Sequence, residues 1–279
     1  MELGEIGIWT TYHQIGEENA GAAAAIVEDS GYGTFWLGGS PRLPTVRPLL
    51  ETTERLVVGT AIVNIWAYEP EQLATEYAEL AADFPDRLIV GIGVGHPEAT
   101  ADYSKPLTSM RAFLDGLDAA ADPLPAERRC LAALGPRMLE LSAERSRGAI
   151  PYFVPVAHAG FARELLGPGP LLAPEMACAV DSDPARARAA ARAYAELYLG
   201  LSNYTDNLLR VGFSEEDIAE GGSDRLIDAV VPQGTAEEIA AVARAHLDAG
   251  ADHVALQPVG RRGIPAEEWR ALAAAIVGR

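Results

Sequence analysis

Eight short apolar runs, spaced along the chain and separated by stretches of helical periodicity, limit what this sequence can fold into. The runs are Ile6–Thr10, Thr34–Leu37, Leu56–Val63, Leu88–Ile92, Cys130–Leu134, Ala149–Phe153, Leu171–Val180 and Asp252–Leu256. They are continuous rather than alternating, and β-branched residues fill the middle of Leu56–Val63. Strands of that kind are covered on both faces, as in a parallel sheet. The intervening pattern predicts helices over Asn19–Ser30, Glu71–Phe84, Pro106–Ala121, Pro136–Arg145, Ala157–Leu166, Pro184–Gly200, Ala236–Ala249 and Pro265–Val277. Gly31 supplies a C-terminal stop for the first, and Pro70 and Pro136 stand where a first helical turn accepts proline.

Eight strand–helix units in 279 residues predict an α/β fold, a (β/α)8 TIM barrel in one domain spanning 1–279. An open doubly wound sheet is the alternative. It is weakened because no GxGxxG follows the first strand. One stretch, Leu201–Gly234, breaks the rhythm before the last strand–helix unit and reads as short helices separated by Gly222 and Pro232. It is either a lid or substrate wall beside the barrel mouth or a packing decoration.

Charge narrows the function. Forty acidic against 22 basic side chains leave a net charge of -18, which repels nucleic acids and anionic membranes. Cys130 and Cys178 are far apart and show no metal-ligand spacing, so they are expected to be buried thiols in a reducing cytoplasm. MELGEIGIWTTYHQ has no basic start followed by an apolar run, and no apolar stretch is long enough to span a bilayer without charges. The expectation is a cytoplasmic protein acting on small molecules.

A parallel barrel does its chemistry at the C-terminal ends of its strands. There the chain places Thr11-Tyr12-His13, Gly38-Gly39-Ser40, Asn64-Ile65-Trp66, Gly93-Val94-Gly95-His96, Gly135-Pro136-Arg137 and Pro151-Tyr152. This mouth offers aromatic rings, amides and two histidines, and no carboxylate–histidine cluster for a metal. A flat redox-active ring suits it. Gly93 and Gly95 would admit close backbone approach to such a ring, or simply form a turn. Gly135 and Pro136 at a strand-to-helix junction, with Arg137 beside them, make either an anion site or an ordinary turn with a surface arginine.

Four segments together, VGTAIVNIWAYEP, FPDRLIVGIGVGH, LAALGPRMLELSAERSRGAIPYFV and GTAEEIAAVARAHLDAGADHVAL, resemble the luciferase-like family of TIM-barrel oxidoreductases. Within it they are most similar to the branch that uses the deazaflavin coenzyme F420. The resemblance spans nearly the whole chain. It implies a non-proline cis peptide at Ala61-Ile62 behind the deazaflavin ring, and Asn64 near the ring's polar edge. It implies that Gly93, Val94 and Gly95 line the ring and ribityl chain. Ala133, Leu134, Gly135, Pro136, Arg137 and Met138 would surround the cofactor phosphate. A homodimer is also implied. Two positions depart from the sugar-phosphate dehydrogenases of the family: His96 stands where they carry an acid, and Gly38-Gly39 where they carry an Asp-His pair. A sugar-phosphate substrate and oxygen chemistry are therefore not implied.

Deazaflavin carries a hydride, and the protein supplies orientation and a proton. The expected activity is hydride transfer between F420 and a small organic substrate, an alcohol/ketone pair or an activated C=C. His96 is the expected general acid–base and His13 the second choice. Trp9, Tyr12, Trp66 and Tyr68 are expected to form an apolar substrate pocket, whereas Trp36, His158, His246 and His253 read as core. FMN-dependent monooxygenation on the same fold is one alternative, and a non-catalytic F420-binding barrel is another.

Overall fold

The computed structural model describes residues 1–99 and 103–277. Its strands are β1 (Ile6–Thr11), β2 (Thr34–Gly38), β3 (Val57–Ala61), β4 (Val63–Asn64), β5 (Leu88–Gly93), β6 (Arg129–Leu131), β7 (Gly148–Ala149), β8 (Leu171–Leu172), β9 (Glu175–Val180), β10 (Gln233–Gly234) and β11 (Val254–Pro258). All pair in parallel, in the order β10-β9-β11-β1-β2-β3-β5-β6-β7-β8, with β4 continuing β3 alongside β5.

β8, at one end of that order, and β9, next to the other end, are one piece of chain. Leu172 pairs with Ala149, and three residues later Glu175 pairs with Ala255. Across the break the Ala149 carbonyl accepts from Ala173 N, the Pro151 carbonyl from Glu175 N, and the Pro174 carbonyl from Ala255 N, each at 2.9 Å. Residues 171–180 are therefore the seventh barrel strand, and Pro174, which lacks an N–H, falls where its partner strand changes. The result is the (β/α)8 barrel expected from the eight apolar runs.

Helices cover the outside for reasons visible in their sequences. In Pro70–Asp83, proline opens the first turn, and Leu73, Ala74, Tyr77 and Leu80 form the buried stripe. A capping box of Thr235 and Glu238 opens Ala236–Asp248. The second unit differs from expectation: the short helix Arg47–Glu51 follows β2, and its two nearby prolines, Pro44 and Pro48, hide its periodicity. The Leu201–Gly234 segment forms the helices Ser202–Arg210, Glu215–Ile218 and Asp224–Val230 and rejoins the barrel as β10 beside β9.

Inside the barrel, large rings sit against glycines on neighbouring strands. A Cβ on Gly59 would strike the Trp36 ring, and one on Gly38 would strike the Trp9 ring. Trp36 Nε1 donates to His253 Nε2 at 3.0 Å, so Nδ1 carries the proton, and it donates to the Gly4 carbonyl at 2.7 Å. Burial pushes His253 down to about 4, and a neutral imidazole is what this pair of bonds requires. Cys130 and Cys178 are both buried free thiols.

Candidate functional site

A cavity of about 440 Å³ opens at the C-terminal ends of the strands and reaches into the barrel. Its wall includes Ala61 and Ile62 from the end of β3, Val94, Gly95 and His96 after β5, and Ala132 to Gly135 after β6. Met138 joins from the helix Pro136–Arg145, and Trp9, Trp36, Tyr152, Glu175, Asn203 and Tyr204 complete much of the rest. The Ala61-Ile62 peptide is cis. Gly95 has φ of 64°, a conformation glycine adopts without a Cβ penalty.

His96 is held by the inserted helix Ser202–Arg210. Its Nδ1 lies 2.9 Å from Asn203 Oδ1, and its Nε2 lies 3.5 Å from the Tyr204 hydroxyl. An amide oxygen only accepts, so this contact places the imidazole proton on Nδ1 and turns the Nε2 lone pair toward the Tyr204 hydroxyl. Two residues on, the Glu98 carboxylate accepts from Ser202 N at 3.1 Å and Ser202 Oγ at 2.8 Å. The backbone N–H of Ser202 is the leading cause that holds the Glu98 carboxyl below the usual range. The insertion is thus fastened to the loop that carries His96.

At the end of the cavity formed by the β6 loop, Gly135 is the N-cap of Pro136–Arg145, and no side chain caps that helix. A Cβ built on Gly135 would meet only Arg210 Nη2, at 4.0 Å, so the space in front of the helix is open. Arg210 reaches it from the inserted helix and also donates to Asn207 Oδ1 at 3.1 Å. His158 Nε2 donates to the Leu134 carbonyl at 3.2 Å, and burial pushes this imidazole down to about 4. Open backbone amides and a guanidinium in an acidic protein suit an anion.

A second cavity, of about 510 Å³, adjoins the first and shares Trp9, Thr11, Gly39 and Tyr198 with it. Tyr12, His13, Gln257, Arg261 and Arg262 are on its wall. Between the cavities Tyr152 Oη lies 2.5 Å from Tyr194 Oη and 2.9 Å from Tyr198 Oη, and Gln257 Oε1 lies 3.0 Å from both the Tyr152 and the Tyr194 hydroxyl. Burial raises the pKa of all three phenols, most for Tyr152 and Tyr194.

Of the residues expected from sequence, Ala61, Ile62, Val94, Gly95, His96, Ala133, Leu134, Gly135, Met138 and Trp9 are brought together on the first cavity, and Tyr12 and His13 on the second. Asn64, Gly93, Pro136, Arg137, Trp66 and Tyr68 line neither. Each is used elsewhere or turned away. Asn64 Oδ1 accepts from Trp66 N at 3.1 Å, and Trp66 Nε1 donates to the Val94 carbonyl at 2.8 Å. Tyr68 accepts from Leu43 N at 2.6 Å, donates to Glu76 at 2.8 Å and lies under the Arg42 guanidinium. A Cβ on Gly93 would face Ile62, and Arg137 is exposed. Trp36, expected as core, is 1% exposed and also forms part of the cavity wall.

The sequence reading missed Glu175, Asn203, Tyr198 and Tyr204. Only Glu175 had a local signal, an acid inside an apolar run. Among the described residues, no group of three or more His, Cys, Asp or Glu is placed to hold a metal ion. No described helix is long and apolar enough to cross a membrane.

Comparisons with known proteins agree with this architecture. An F420-dependent secondary alcohol dehydrogenase, solved in complex with an F420-acetone adduct, superposes with a TM-score of 0.75 at 15% identity over 99% of both chains. The coenzyme F420-dependent tetrahydromethanopterin reductase from Methanopyrus kandleri gives 0.75 at 14% identity, again over 99% of both. The oxygenating constituent of 3,6-diketocamphane monooxygenase from the CAM plasmid of Pseudomonas putida, a type II Baeyer-Villiger monooxygenase in complex with FMN, gives 0.69 at 12% identity over 98% of this chain and 96% of that one. At such identities the likeness is one of fold. The curated proteins contain no match by sequence. The model of the luciferase-like monooxygenase family matches residues 3–275, and with the closed barrel and its cavity at the strand ends, the chain belongs to that family.

Proposed function

We propose that this protein transfers a hydride between the deazaflavin coenzyme F420 and a small organic substrate, an alcohol/ketone pair or an activated C=C. One observation carries the reading: a single 440 Å³ cavity joins the Ala61-Ile62 backbone, the Val94-Gly95-His96 loop and the open N-terminus of Pro136–Arg145. That volume lies in the range of cofactor sites. The names of the two F420-dependent structural neighbours support the choice of ring.

The residues present fit such a group. The helix amides behind Gly135, with Arg210, would hold a phosphate, and Gly95 admits backbone close to a ring. Bound there, the deazaflavin supplies hydride transfer at a ring carbon, and the protein supplies the rest. His96 exchanges a proton through Nε2, its tautomer set by Asn203. Asn203 and Tyr204 of the inserted helix form that side of the cavity wall. FMN-dependent monooxygenation is the second reading, favoured by the FMN-bound neighbour.

Fluorescence titration of the purified protein with oxidised F420, with FMN alongside, tests the choice. Tight F420 binding with weak FMN binding is expected. Preference for FMN replaces the first reading with the second, and binding of neither removes both.

A further inference from the structure

The barrel interior holds one acid that the reading above does not use. Glu175 opens β9, is 3% exposed and lines the 440 Å³ cavity. Its Oε2 accepts from Phe153 N at 3.0 Å, whereas its Oε1 is buried with no hydrogen-bond partner among the described residues. The same cavity wall carries the apolar residues Ala173, Ala255, Ile150 and Trp36. Ala255 is in register with Glu175, two residues before Gln257 on β11, so the acid lies on the deep side of the tyrosine cluster.

The titratable groups that feel its charge are Tyr152 after β7, Tyr194 and Tyr198 on the helix Pro184–Leu199, Tyr204 on the inserted helix and Cys178 on its own strand. All are phenols or a thiol, neutral at pH 7, and none is a cation. An ionised carboxylate would stand there uncompensated. Burial accordingly pushes Glu175 up to about 8, against the opposing bond from Phe153 N. A neutral carboxyl carries an O–H donor. Among the described residues Oε1 has no hydrogen-bond partner, and a buried donor left unpaired is costly.

We infer that Glu175 is a protonated acid deep in the cavity whose O–H is given to an uncharged acceptor atom of the cavity's occupant, a carbonyl-type oxygen or an aromatic ring nitrogen. The inference rests on the proposed function only for the source of that acceptor, the cofactor ring or the substrate carbonyl.

Infrared spectroscopy of the whole protein reads the proton directly. The C=O stretch of a protonated carboxyl is expected at pH 7, assigned by its loss in Glu175→Gln, and it shifts when an acceptor enters. The probes are acetophenone, oxidised F420 and FMN, with benzylamine as the cationic counterpart. A shift with F420 or FMN assigns the acceptor to the ring, and a shift with acetophenone alone assigns it to the substrate. Glu175→Gln keeps an acceptor for Phe153 N and a donor for the ligand, so it should bind the responding probe within about threefold of wild type. Glu175→Met keeps the length, removes the donor and should weaken binding about tenfold.

Absence of the stretch at pH 7 overturns the inference, as do a stretch that no probe moves and a preference for benzylamine lost in Glu175→Gln. If neither F420 nor FMN binds, the proposed function fails while the acetophenone arm still decides the role of Glu175. If Glu175→Met does not fold by circular dichroism, the infrared arm with Glu175→Gln decides alone.

Discussion

His96 and Asn203 are 107 positions apart in the chain and 2.9 Å apart in the structure. In the proposed mechanism the amide oxygen fixes which imidazole nitrogen carries the proton, which makes Asn203 a positioning residue for His96. His96→Ala should cut turnover about 10²–10⁴-fold and leave F420 affinity within a few-fold. Asn203→Ala should lower kcat by a smaller factor, leave KM close to wild type and shift the pH–rate profile. An unchanged profile in Asn203→Ala would remove its role, and normal turnover in His96→Ala would remove that of the histidine.

The Glu98–Ser202 contact makes the inserted helix depend on a charged hydrogen bond. Glu98→Ala should raise amide hydrogen exchange across Ser202–Arg210 while the barrel strands stay protected. Equal protection in variant and wild type would mean that packing of Tyr204 and Leu208 alone seats the helix.

Arg210 stands 4.0 Å from the place a Gly135 Cβ would occupy. Arg210→Gln should weaken F420 and FMN alike by about tenfold and flatten the salt dependence of binding, because the contact proposed for Arg210 is to the phosphate rather than the ring. Gly135→Ala has room for its methyl in the free protein, so its melting temperature should stay near wild type. Gly38→Ala contrasts with it: the added methyl meets the Trp9 ring, and overpacking of this kind costs about 1–3 kcal/mol. Differential scanning calorimetry separates the two.

Stability should peak near pH 6.5. Burial pushes His158, His246 and His253 from 6.5 down to about 4. The unfolded chain therefore binds more protons than the native one between those values, and stability falls as pH drops through that window. Burial raises Glu175 from 4.5 to about 8, so here the native protein holds the extra proton and stability falls as pH rises toward 8. Each group contributes a slope of about 1.4 kcal/mol per pH unit within its window. Urea midpoints against pH should show both limbs. His246→Leu, which removes two buried nitrogens with no partner, should shallow the acid limb, and Glu175→Gln the alkaline one.

The barrel was legible because strands covered on both faces must be apolar throughout, and all eight runs became barrel strands. Loops after those strands were legible as a set, since a parallel barrel gathers them at one mouth. Individual side chains within the set were not. Trp66 and Tyr68 read as pocket rings, yet each gives its polar atom to a nearby partner and neither lines the cavity. Tyr194 and Tyr198 lay in an Ala-rich helix whose periodicity does not tell which turn meets Tyr152. Asn203 had no local signature, because its role exists only after the insertion folds back onto the β5 loop. Glu175 was the exception, an acid placed just after Pro174 in a strand otherwise apolar, where its cost in burial was already readable.

The Leu201–Gly234 segment leaves the barrel after the helix that follows β9 and returns through Gln233 and Gly234 onto β9 itself, at Ala179 and Val180. Departure and return are stitched to the same strand, so the barrel closes without any of the residues between. The segment is a cassette. Grafting its counterpart from another family member onto these two junctions would exchange Asn203, Tyr204 and Arg210 together, and with them the roles proposed for these residues, while the scaffold beneath stays as it is.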